Sequence, residues 1–162
     1  MDQEEYRLPP RTLFTSFLLV SGGYVLSVTV LFILAFSLAT AFSPETIEAI
    51  GNEPAIFEQQ LNNNPAEILP QKLYWPLLVL DALACLGIGF AVARLAPFAK
   101  MAHCIFLAII IFVGFLQSAI GAPAGLQWML IGLMASTPVA TLLGGRLCLL
   151  LTGTPIPENA DH

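Results

Sequence analysis

Charge is scarce in this chain: 10% of its 162 residues are Asp, Glu, Lys or Arg, where a soluble domain carries about 25%. With 57% hydrophobic residues and a mean hydropathy of +0.80, a water-exposed globule is excluded, because too few polar residues exist to cover it. Only 6 residues are basic, and they are scattered, so no patch can track a phosphate backbone and nucleic acid is not expected as a partner. The 3 cysteines are odd in number and contain no Cys-x-x-Cys, which leaves neither a disulfide framework nor a redox pair. Cys85, Cys104 and Cys148 are read as small buried hydrophobes.

Histidine is scarcer still, with 2 in the chain. Paired intramembrane histidines for haem are therefore missing, and His103 beside Cys104 has no second His placed to complete a metal site. It is expected as an interfacial residue. A second intramembrane Asp for a protease dyad is absent, as are Ser and His at matched depth. No catalytic, cofactor-binding or metal residue is expected, and the chain is expected not to be an enzyme.

Long hydrophobic runs are what the chain does have. Apolar stretches at about 13–42, 73–97, 101–121 and 125–150 each reach the ~20 residues that cross ~30 Å of hydrocarbon as a helix. The first is about twice the length of a signal-peptide core, and Ser43-Pro44-Glu45 after it lacks a small-x-small cleavage site, so it is kept as a mature span. An all-α membrane protein with four transmembrane helices follows. Residues 1–152 are expected as a single membrane domain, and the polar, Pro-broken 153–162 as a disordered cytoplasmic tail.

Lys and Arg set the orientation. Arg7 and Arg11 precede the first span, Arg94 and Lys100 flank the turn between the second and third, and Arg146 closes the fourth. The segment 43–71 holds Glu45, Glu48, Glu53, Glu58 and Glu67 with no basic residue before Lys72, the one exception to the partition, and the connection around Ala122-Pro123-Ala124 is uncharged. Both termini are therefore expected in the cytoplasm. Tyr74, Trp75 and Trp128 then sit at the outer interface as an aromatic belt. Within 43–71, Ser43-Pro44-Glu45 and Asn64-Pro65-Ala66-Glu67 read as starts of short outer helices.

Small residues recur every fourth position inside the spans, as helix association in lipid requires. Gly132, Ser136, Ala140 and Gly144 form such a row on the fourth span, Asp81, Cys85, Gly89 and Ala93 one on the second, Gly23 and Ser27 one on the first, and Gly114 and Ser118 one on the third. Short connections make neighbouring spans antiparallel, so an up-down four-helix bundle is the simplest architecture. Asp81 is the one carboxylate within a span, ~9 Å inward of Trp75 by helical rise. A carboxylate there is a functional candidate by default. Gln117 lies at comparable depth on the third span and is expected to hydrogen-bond it, so Asp81 and Gln117 form the candidate intramembrane polar site.

The run Leu86-Gly87-Ile88-Gly89-Phe90-Ala91-Val92-Ala93-Arg94-Leu95-Ala96-Pro97, then Ala102-His103, Gln127-Trp128 and the ending Gly144-Gly145-Arg146-Leu147, resembles a widespread type of small bacterial four-helix inner-membrane protein. The likeness covers roughly 64–147. It implies the topology above and a bacterial cytoplasmic membrane, and it transfers no activity, cofactor or site. The chain departs from that type in carrying Asp81. The expected function is a non-enzymatic structural or accessory component, partnered by the bilayer and by copies of itself or a larger complex. The alternative is a small oligomeric proton- or cation-coupled transporter using Asp81.

Overall fold

A computed structural model describes residues 10–42, 59, 73–122 and 124–153. The described residues form four long helices: α1 Pro10–Phe42, α2 Tyr74–Leu95, α3 Lys100–Ile120 and α4 Ala124–Thr152. Each is long and apolar enough to cross a membrane. The short outer helices expected within 43–71 and the tail expected beyond Gly153 lie outside the described residues. The helix ends have local causes. Pro97 closes α2, because the residue before a proline is pushed out of helical backbone, and Ala96 is extended at ψ 125°. Gly153 takes φ +65° just past α4, the left-handed conformation that stops a helix.

The distribution of side chains is compatible with a surface solvated by hydrocarbon. Phe17, Phe32, Ile120 and Leu150 stand 67–79% exposed, while Asp81, Thr137 and Thr141 are buried. Water would drive those exposed rings inward; lipid gives them no reason to move. Close packing must then come from small residues. At the centre of the bundle, a methyl added at Gly89 would run into the carbonyl of Thr141, and one added at Gly144 into the carbonyl of Leu86. Helices α2 and α4 thus cross backbone to backbone, each contributing one glycine to the crossing.

The remaining contacts give relative directions. Asp81 meets Thr137 while Leu86 meets Gly144, so α2 and α4 run the same way. Helix α3 runs opposite to both: Cys104, near its start, packs on Gly89 and Gly145, which lie toward the ends of α2 and α4. Gly23 of α1 lies against Val92 and Leu107, and Ser27 reaches Cys85. Among its described side chains α1 buries only Gly23, Ser27 and Ala39, and it is the most loosely embraced of the four.

Candidate functional site

Along α2, Asp81, Cys85, Gly89 and Ala93 fall four residues apart and all are buried, so the row faces helices throughout. Asp81 is 1% exposed. Its Oδ2 accepts a hydrogen bond from the Thr137 hydroxyl of α4 at 2.7 Å. One turn along α2, the Cys85 thiol stands 4.0 Å from Oδ1, and the Ser27 hydroxyl of α1 stands 3.7 Å from the Cys85 sulfur. A thread of weak and strong polar contacts therefore links α1, α2 and α4. The short Thr137 bond is its strong member, and the sulfur contacts are long.

The partner of Asp81 differs from the one expected. Gln117 is exposed and takes no part in the cluster. The buried face of α3 runs through His103, Cys104, Leu107, Ala108 and Ile111. Gln117 lies six residues past Ile111, about 240° around the helix at 100° per residue, and so leaves that face. Matched depth was not enough without matched azimuth. Thr137 is the residue that sequence reasoning missed. Its signal was its spacing: Leu133, Thr137 and Thr141 repeat at four and all are at most 1% exposed, a buried stripe with two hydroxyls alongside the small-residue row.

That row is arranged by depth. Ala140 and Gly144 are buried, whereas Gly132 and Ser136 are half-buried, with the Leu78 side chain 3.2 Å from where a methyl on Gly132 would sit. The Ser136 Oγ is itself buried without a hydrogen-bond partner. Gly23 and Ser27 of α1 are buried, but Ser118 of α3 is exposed and returns its hydroxyl to the Gly114 carbonyl of its own helix. Toward the Tyr74 end, α2 and α4 border a groove of about 770 Å³ whose lining includes Trp75, Trp128, Gly132 and Ser136. Asp81 lines neither this groove nor the smaller clefts beside α1.

The thiols are free and buried. Cys104 donates to the Gly89 carbonyl at 3.4 Å, which ties α3 to the crossing of α2 and α4. His103 is more enclosed than expected of an interfacial residue. It is 6% exposed, its Nδ1 lies 3.2 Å from the Ala99 carbonyl, and its ring meets Phe98 edge-on at 5.3 Å. Its Nε2 has no hydrogen-bond partner. Among the described residues no group of three His, Cys, Asp or Glu is placed to hold a metal ion. What the cluster offers chemically is a carboxyl with one hydroxyl donor and, among the described residues, no cation beside it.

No known protein family, curated protein or solved structure matches this chain.

Proposed function

We propose that this chain is a multi-pass protein of a bacterial cytoplasmic membrane, and that it is a structural or accessory component rather than an enzyme. It acts through helix packing, in copies of itself or within a larger membrane complex, and needs no cofactor. Both termini lie in the cytoplasm, with 43–71 outside. The alternation of Lys and Arg along the sequence supports that orientation, and the alternating directions of α2, α3 and α4 are compatible with it.

The observation that carries the reading is the enclosure of Asp81. At 1% exposure and held by Thr137, the carboxyl acts as a clasp between helices. A transport site needs a path for its ion, and a four-helix bundle closed by a glycine crossing leaves little room for one. Asp81→Asn keeps the shape and an oxygen for Thr137, so assembly in mild detergent is expected to match wild type. A second reading has one observation in its favour: Oδ1 has only a thiol near it, at 4.0 Å, which leaves a lone pair for a proton or cation. Loss of a pH-driven flux in proteoliposomes by the Asn variant, with assembly intact, would replace the clasp by the transporter.

A further inference from the structure

Glycine at position 145 leaves a space on α4 that sulfur from α3 fills. A methyl added there would stand 2.6 Å from the Cys104 Sγ and 3.4 Å from the Met101 Sδ. The two sulfurs are thus no more than 6.0 Å apart, those two distances laid end to end. They come from successive turns of one face of α3, because residues three apart on a helix are neighbours.

A third sulfur comes from α4 itself. Cys148 follows Gly145 by three residues, so its Cβ stands about 5–6 Å from the same point. Cys104 and Cys148 are both 0% exposed and share one buried cluster, and a charge on the Cys148 sulfur is felt at Cys104. Both thiols are free. The remaining thiol, Cys85, belongs elsewhere, beside Asp81 and Ser27.

Two thiols and a thioether are soft donors, which suit copper(I) and not the oxygen-seeking calcium or magnesium. Zinc takes four ligands in a tetrahedron, and thiols at 0% exposure leave no place for water as the fourth. Copper(I) is satisfied by two or three sulfurs. On binding, two Cu–S bonds form as two S–H bonds break, both protons leave to solvent, and the thioether lends a lone pair. No electron changes hands. One monovalent cation with two thiolates carries a single negative charge. Arg94, Lys100 and Arg146 lie at this end of the bundle and no acid does among the described residues, so the local field offsets that charge.

The site also has a way in. Met101 is half-buried one residue inside the start of α3, and Cys104 lies one turn deeper, about 4.5 Å by helical rise. The thioether stands at the rim and the thiols below it.

We infer that Met101, Cys104 and Cys148 bind one copper(I) ion between α3 and α4. The crossing of α2 and α4 closes the bundle without the ion, which is therefore a guest rather than part of the fold, and the inference is independent of the structural role proposed above.

The test uses the full chain in detergent with its thiols reduced. It is titrated under argon with copper(I) held by bathocuproine disulfonate, and copper is counted per chain after desalting. Wild type takes up one equivalent, and X-ray absorption at the copper edge shows three sulfurs with no nitrogen or oxygen. Cys104→Ala and Cys148→Ala each lose the equivalent. Met101→Leu keeps it with two sulfurs, and Met134→Leu, a thioether elsewhere on α4, changes nothing. Excess zinc(II) leaves the copper in place. No uptake by wild type, uptake left intact in both cysteine variants, a shell containing nitrogen or oxygen, three sulfurs persisting in Met101→Leu, or displacement by zinc(II) overturns the site. If the cysteine variants do not fold, wild type and Met101→Leu decide, since X-ray absorption reads both with every thiol in place.

Discussion

A carboxyl inside hydrocarbon has no water to solvate it, so its neighbours decide what it does. For Asp81 the decisive neighbour is the Thr137 hydroxyl, 2.7 Å away on the helix that α2 crosses most closely. Thr137→Val keeps the branched shape and removes the donor. The expected cost is about 0.6–2 kcal/mol of bundle stability, the span measured for hydrogen bonds between membrane helices, read from steric-trap or detergent unfolding. Thr137→Ser restores the hydroxyl and most of that loss. A Val variant as stable as wild type would show the carboxyl to be satisfied elsewhere and remove the clasp. That Asp81 faces other helices was legible from its row with Cys85, Gly89 and Ala93. Its partner was not, because α1, α3 and α4 all offer hydroxyls or amides at similar depth, and only the rotation of each helix tells them apart.

Between helices, the bundle is held at the few places where a side chain would be an obstruction. Gly89 and Gly144 meet opposing backbone, which cannot yield as a side chain can. Gly89→Ala or Gly144→Ala is therefore expected to cost about 1–3 kcal/mol by overpacking. Gly22 and Gly87 have nothing within 4 Å of an added methyl, and Gly22→Ala or Gly87→Ala should leave stability equal or raise it by up to ~1 kcal/mol through helix propensity. Equal melting of all four variants would deny the crossing its role. Gly145 tests the third helix: its added methyl would stand 2.6 Å from the Cys104 sulfur. Because a thiol is removable, Cys104→Ala should rescue part of the loss in Gly145→Ala, giving a non-additive cycle. The α2 and α4 rows carried this geometry in the sequence, since small residues recurring at four on both helices, with a glycine in each, read as close approach. The exposure of Ser118 shows the limit of the rule: a small residue marks a seam only where another helix comes to meet it.

At the scale of the molecule, the placement of four helices in a membrane follows from apolar length, which the sequence displays in full, but their sides rest on basic residues alone. Arg7, Arg11, Arg94, Lys100 and Arg146 fall on one parity of the connections, and the other has Lys72 alone, after a stretch 43–71 whose charges are all acidic. Labelling decides it, provided the native thiols can be removed first. Cys148 is a small buried residue that tolerates Ala, Cys85→Ser keeps a hydroxyl beside Asp81 and Ser27, and Cys104→Ser retains a donor for the Gly89 carbonyl. In that background, single cysteines introduced as Asn63→Cys and Gly153→Cys are exposed in intact cells to a membrane-impermeant maleimide. The first is expected to react from outside and the second only after the membrane is opened. Moving charge should move the protein: Arg94→Glu with Lys100→Glu weakens the cytoplasmic hold on the turn between α2 and α3, and a fraction of chains should then label at Gly153→Cys from outside. Three crossings separate the two positions, so equal outside access of both in the unaltered chain would mean that one of α2, α3 and α4 does not cross, and the even count of spans would be lost with it.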